Sequence, residues 1–215
     1  MKKAYVSAVF LLMTVCSFAQ QRDPAAKAIL DEASAKFKTY KTVVATFGYQ
    51  IQSAVGKVLT RKSGTVNMKG DKFNITFGSN KIISDGATVW NYDPGTKEVT
   101  VNNANKSEST ITPQKLFTDF YNKDFMYTMS KDSKVNGKPV SVILMQPIDK
   151  NKPFSRLYLA IDKATKTVVS ATVVEKNGNK YVYSIGSLKP NVALSDAQFA
   201  FNKASYPGVE VVDLR

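Results

Sequence analysis

The chain contains no histidine, and its one cysteine, Cys16, falls in the N-terminal segment. Without histidine there is no Ser-His-Asp or Cys-His nucleophile system, no imidazole zinc site and no side chain that ordinarily titrates near neutral pH. With no cysteine beyond Cys16, there is no disulfide framework, thiol nucleophile or thiolate metal ligand. Phosphate-cradling and metal-loop signatures (GxGxxG, the P-loop, HExxH, the EF-hand loop) are missing as well. The carboxylates form no evident catalytic pair. Asp23, Asp31 and Glu32 lie at the start and on the surface of a predicted helix, and Asp85, Asp93 and Asp149 lie at turns, where aspartate serves the backbone. Neither a cofactor nor a metal is expected, and an enzyme would have to run on carboxylates, Lys, Ser or Tyr alone. Long apolar runs are also scarce. After Val15 no stretch approaches the ~18 residues that mark a membrane-spanning helix.

What is present begins with an export signal. Met1-Lys2-Lys3 is basic, Ala4 to Val15 is an apolar run of twelve residues, and Ser17-Phe18-Ala19 places small residues before a cleavage point at Gln20. That is the three-part layout of a secretory signal peptide, predicted over residues 1–19. The run is too short for a comfortable membrane anchor, and Val15 is bulkier than the residue that normally precedes a lipidated cysteine. Residues 20–215 are read as one domain, since no linker, repeat or low-complexity tract divides them. Net charge is +13, or +11 once Lys2 and Lys3 are removed, and the lysines are scattered rather than clustered. Export sets nucleic acid aside as a partner, and a solvated basic surface accounts for most of the charge.

Asp23-Pro24 opens a helix that places Ile29, Ala33, Phe37 and Tyr40 on one face. From Ala45 the pattern changes to alternation, with Phe47, Tyr49 and Ile51 on one face and Phe73, Ile75 and Phe77 repeating it further on. Turn signals separate about six such strands. Thr112-Pro113 then starts a short central helix to Tyr121 carrying Leu116, Phe117 and Phe120, and about five more strands follow. So many adjacent strands form an antiparallel meander that must curl. The predicted fold is mostly β with α: a strongly curved antiparallel sheet, or incomplete β-barrel, with helices covering its concave face. Its interior leaves room for an apolar ligand. The surplus of aromatic residues fits that reading, although each one taken singly reads as core packing.

One stretch is more specific. Ile83-Ser84-Asp85-Gly86-Ala87-Thr88-Val89-Trp90-Asn91-Tyr92-Asp93-Pro94 resembles the signature of the periplasmic outer-membrane lipoprotein carrier family, LolA. Gly64-Thr65-Val66-Asn67-Met68-Lys69 followed by Asp71-Lys72-Phe73-Asn74-Ile75, and the opening Ala45-Thr46-Phe47, are similar to that family's first strands. The resemblance is closest between Gly64 and Pro94 and fades after about Asn122.

It implies a carrier in the periplasm. Such a protein accepts lipoproteins from an inner-membrane ABC transporter, shields their acyl chains in an unclosed barrel under a helical lid, and hands them to an outer-membrane acceptor. Shielding is worth about 0.8 kcal/mol per buried CH₂. A monomer is expected. The cavity lining expected from the shared faces is Phe47, Tyr49, Ile51, Phe73, Ile75, Phe77, Trp90, Tyr92, Leu116, Phe117 and Phe120. Lys69 stands where the family usually has a lid-tethering arginine, and Gly70 where it has proline. Lysine keeps the charge and loses the two-pronged donor. The competing readings are a periplasmic lipid or lipoprotein sensor that regulates a membrane partner, a carboxylate–tyrosine enzyme, and a structural surface protein.

Overall fold

Asp23 caps the first helix as expected: its carboxylate accepts from the amides of Ala25 and Ala26 at 2.8 and 3.4 Å. Pro24 takes the first helical position, and α1 runs Pro24–Lys38 with Ala26, Leu30 and Ala33 buried. The structure, a computed structural model, describes residues 22–104 and 121–215. The predicted signal peptide and residues 112–120 of the predicted central helix lie outside the described residues.

After α1 come β1 (Thr42–Gln52), β2 (Val58–Lys69), β3 (Lys72–Phe77), β4 (Asn80–Ser84), β5 (Thr88–Asp93) and β6 (Glu98–Asn103), each antiparallel to the next. One helical turn, α2 (Tyr121–Asp124), leads into a second group of strands. These are β7 (Phe125–Met129), β8 (Ser133–Val135), β9 (Lys138–Pro147), β10 (Phe154–Asp162), β11 (Val168–Glu175) and β12 (Lys180–Pro190). β12 pairs with β1 and so joins the two groups into one sheet of thirteen strands. The last, β13 (Glu210–Asp213), lies against β6. The sheet is curled and open, with β13 and β7 at its two edges.

Two local details depart from the sequence reading. β8 is unexpected, because Ser133-Lys134-Val135 has no apolar alternation, yet the Asn136-Gly137 pair after it is of the kind that favours a two-residue hairpin. Both of its residues have positive φ, 49° and 78°, which suits the twist of a two-residue hairpin. The other detail is β13, which pairs with β6 in parallel. The chain crosses the sheet before it reaches that edge, so it arrives running in the same direction as β6 instead of returning by a hairpin.

Strand register decides which side chains share a face. Val43, Ala45, Phe47, Tyr49 and Ile51 alternate along β1, opposite Met68, Val66, Gly64, Lys62 and Thr60 of β2. Val66 and Met68 in turn oppose Ile75 and Phe73 of β3. This is the face that α1 covers: Phe37 and Tyr40 pack on Val43, Ala45, Val66, Met68, Phe73 and Val89. Further along the same face, Leu30 and Ala33 pack with Tyr127, Ile143, Met145, Leu157 and Leu159. A bulge at the β1–β12 seam keeps the face continuous. The register slips between Thr46 and Phe47, so that Leu188 faces Ala45 while Ile185, Tyr183 and Tyr181 face Phe47, Tyr49 and Ile51. One extra residue in β12 thus turns both halves of that strand toward the helix side.

The opposite, far face carries Ile83, Trp90, Tyr92, Val99 and Val101. A strap formed by residues 191–213 covers it. Phe199 is fully buried there, Val209 packs with Val99 and Val101, Phe201 and Tyr206 pack against that cluster beside Trp90 and Tyr92, and Phe201 stacks on Tyr206.

Candidate functional site

α1 starts against β7 and ends at β1, so its apolar stripe covers one end of the helix-bearing face. Toward the other end, where β1 turns into β2, the face is incompletely covered. Phe47, Tyr49, Ile51, Phe77 and Tyr181 are only partly buried, and Tyr183 is 39% exposed. Their rings form one connected group. Phe47 stacks on Phe77 with centroids 6.0 Å apart, and Tyr49 meets the edge of Phe77 at 5.2 Å. Tyr49 also lies 5.2 Å from Tyr183 and 6.0 Å from Tyr181. Lys62 Nζ stands 5.4 Å from the Phe77 ring centre, so the row has a cationic margin.

Gly64 makes room for this group. A Cβ there would collide with the Thr76 carbonyl oxygen and lie 2.5 Å from Phe47 Cζ. A glycine between two aromatic neighbours lets Phe47 lie flat over the strand and reach Phe77.

The electrostatics are those of an apolar site. Tyr49 is pushed up to about 12, first by desolvation, then by the nearby Tyr183, Tyr181 and Glu175. Tyr183 shifts upward for the same first reason, with Tyr181 second. Tyr181 shifts upward mainly through its hydrogen bond to the Glu175 carboxylate. The phenols therefore stay neutral at any physiological pH. Among the described residues, no group of three or more Asp or Glu is placed to hold a metal ion.

At the α1 end of this face, Phe37, Tyr40, Val43 and Met68 line a pocket of about 130 Å³ with Lys38, Lys41, Thr42 and Gly70 around it. That is smaller than the roughly 300 Å³ at which drug-sized ligand pockets begin. The half-covered aromatic row is a separate apolar surface on the same face.

Of the eleven residues expected to line a cavity, six share the helix-bearing face. Phe47, Tyr49, Ile51 and Phe77 belong to the open row, while Phe73 and Ile75 pack beneath α1 with Val43 and Met68. Leu116, Phe117 and Phe120 lie outside the described residues. Trp90 and Tyr92 are on the far face: Trp90 pairs with Ile83 and Val101, and Tyr92 lies 4.6 Å from Tyr206. They alternate along β5 as the sequence predicts, but which side of the sheet that alternation addresses depends on β4 and β6. Tyr181 and Tyr183 are not among the expected lining residues. The bulge shows in β12 only as a change of phase, from Tyr181, Tyr183 and Ile185 to Leu188, and which face either phase addresses depends on pairing with β1.

Lys69 also points to the far face, one residue out of step with Met68. Its Nζ bonds Asp196 Oδ2 at 3.1 Å, while Lys72 Nζ bonds Oδ1 at 2.9 Å. Next to it, Asn67 Nδ2 donates to Gln198 Oε1 and Asn74 Nδ2 to the Gln198 carbonyl oxygen. Among the described residues the partner of Lys69 is Asp196 of the strap; residues 112–120 of the predicted central helix, the lid it is expected to tether, lie outside them.

Residues 38–202 match the family of the outer membrane lipoprotein carrier protein LolA. The outer-membrane lipoprotein carrier protein of Histophilus somni (strain 2336) is 27% identical, the alignment covering 86% of this chain and 88% of that protein. The protein of the same description from Glaesserella parasuis serovar 5 is 28% identical over 100% of this chain and 97% of its own length. Among solved structures, an uncharacterized conserved protein from Thermus thermophilus superposes with a TM-score of 0.60 at 14% identity, covering 88% of this chain and 99% of its own. The lipoprotein LppX of Mycobacterium tuberculosis gives a TM-score of 0.53 at 10% identity, covering 80% of this chain and 100% of its own. Both structures are similar to this chain in fold.

Proposed function

The chain belongs to the outer membrane lipoprotein carrier family LolA, and from that premise we propose that it shields the acyl chains of lipoproteins in the periplasm and carries them from the inner to the outer membrane. The observation that carries the reading is the row Phe47, Tyr49, Phe77, Tyr181 and Tyr183, connected ring to ring yet left partly exposed on the α1 face. A core that merely stabilised the fold would be covered, since half-exposed aromatics forgo most of their burial energy. A binding surface must instead stay open enough to exchange its ligand for water.

An inner-membrane ABC transporter as donor and an outer-membrane acceptor complete the proposed route, with a monomer as the travelling unit. No helix among the described residues is long and apolar enough to cross a membrane, which fits a travelling role.

Depletion of the protein in its host, followed by fractionation of lipoproteins between the two membranes, tests the route. Accumulation at the inner membrane is expected, and an unchanged distribution would overturn it. The site is tested separately by native mass spectrometry of the exported protein. Acylated species should co-purify with it, and Tyr183→Glu should reduce their occupancy about tenfold by placing a charge where a methylene chain lies.

A further inference from the structure

We propose that the β1–β2 tip and the turns beside it form a docking surface for an anionic lipid bilayer. The tip is apolar where a turn is ordinarily polar. Val55 is 91% exposed, and Leu59 and Val58 behind it are 55% and 44% exposed. Leu59 is thrown outward by a local bulge: Ile51 faces Thr60 and Gln52 faces Val58, so Leu59 has no partner across the hairpin. Ile148, on the neighbouring β9–β10 turn, is 46% exposed. Single exposed hydrophobic residues are ordinary, but these share one end of the sheet.

The same end is basic. Antiparallel pairing puts the turns at 53–57, 148–153 and 176–179 side by side at this end, with those at 78–79 and 94–97 set back from the tip because Phe77 pairs with Gly64 rather than with Val58. These turns carry Lys57, Lys97, Lys150, Lys152 and Lys176 against Asp149, with Asp93, Glu98 and Glu175 at the strand ends beside them. Three of these turns touch. Lys176 Nζ bonds the Lys150 carbonyl oxygen at 2.7 Å, and Gly178 lies directly against Ala54.

Connections at the other end carry Lys41, Lys131, Lys163 and Lys166 against Asp71, Asp85 and Asp132, and there Lys163 pairs with Asp132 and Lys166 with Glu32. No ion pair among the described residues engages Lys57, Lys97, Lys150, Lys152 or Lys176. Exposed apolar side chains beside four of these unpaired lysines, Lys57, Lys150, Lys152 and Lys176, match a bilayer interface, where acyl chains lie just beneath anionic phosphates. A protein partner of the same chemistry would need an acidic rim around an apolar pocket. The lipid surface is favoured because a convex tip inserts into a fluid interface without a matching pocket. The tip also continues into Ile51, Tyr49 and Tyr181, so docking would set the open aromatic row beside the membrane.

The proposal does not depend on cargo binding. Vesicle association and acyl-chain occupancy are measured separately, and either can fail alone. The test is co-sedimentation of the exported protein with vesicles of phosphatidylcholine alone and of equimolar phosphatidylcholine and phosphatidylglycerol. Association with the mixed vesicles, weakening as salt is raised, is expected. Val55→Glu and the double variant Lys57→Glu/Lys150→Glu should each weaken it about tenfold or more. Val55 contributes little to packing, so an unchanged thermal transition shows that the fold is intact. No association with the mixed vesicles, equal association with both vesicle types, unaltered binding by either variant, or association only with membranes that contain protein would overturn the proposal.

Discussion

At the scale of single residues, one glycine and one tyrosine are the most informative. Gly64 is the floor on which Phe47 lies, so Gly64→Ala should destabilise the chain by about 1–3 kcal/mol through overpacking and should displace Phe47 from Phe77. Urea denaturation reads the first effect, and ring-current shifts of the two phenylalanines read the second. Tyr127 is the opposite case. It is buried among Tyr121, Ile143 and Met145, and its hydroxyl has no hydrogen-bond partner among the described residues. Tyr127→Phe should therefore keep or raise stability, by as much as about 1–3 kcal/mol; a clear loss would show that the hydroxyl is satisfied in solution. Sequence alone marks Phe47 and Phe77 as members of alternating apolar faces, because alternation is a local property. It gives no sign of how closely Phe47 and Thr76 approach Gly64, or that the Tyr127 hydroxyl finds no partner among the described residues, since both depend on what an adjoining strand or helix brings into contact.

At the scale of elements, Asp23 links the start of α1 to an edge of the sheet. One carboxylate oxygen caps the helix, the other accepts from the Met129 amide at 2.9 Å, and the Asp23 amide donates to the Tyr127 carbonyl oxygen at 3.0 Å. The Met129 amide, then that of Ala25, holds this carboxyl below its ordinary value of 3.8. The Thr165 and Ala164 amides act likewise on Asp162, and Lys72 and Lys69 on Asp196. A carboxyl whose folded value is depressed stabilises the native state above its unfolded value and loses that contribution as pH falls through the folded one. Stability should therefore fall as pH drops below about 4, and Asp23→Ala should remove part of the dependence. Hydrogen exchange at Met129 should accelerate in that variant, and an unchanged rate would show that β7 does not rely on the cap. At high pH the sign reverses. The raised value of Tyr49, about 12, makes ionisation favour the unfolded chain, so stability should decline above about pH 10. The cap is legible from Asp23-Pro24 alone. Its second role is not, because β7 lies more than a hundred residues away along the chain.

At the scale of the whole molecule, the two faces of the sheet do different work. The α1 face is partly open, and the far face over β5 and β6 is covered by the strap. The lone tryptophan, Trp90, belongs to the covered side. Ending the chain at Pro190 should therefore shift its emission to longer wavelength while leaving acyl-chain occupancy on the α1 face intact. A shift without the truncation, on ligand binding, would instead place Trp90 near the cargo. The curled, mostly antiparallel sheet is legible from alternation and turn residues. The side taken by Trp90 is not, because the strap that covers it comes from residues the sequence presents only as scattered aromatics and a short terminal strand.

The seam between β1 and β12 has a consequence for biogenesis. Each group of strands, β1–β6 and β7–β12, is built from neighbours in sequence, but the seam joins Val43 to Pro190. A chain threaded through a translocase from its N-terminus can assemble the first group as it emerges. The seam must wait until nearly the whole polypeptide has crossed. During that interval β1 is a bare edge bearing Val43, Ala45 and Phe47, a template for pairing with other chains. For a chain exported as the proposed route requires, folding would be a race between completing translocation and aggregation, and the last strands to emerge would decide its outcome.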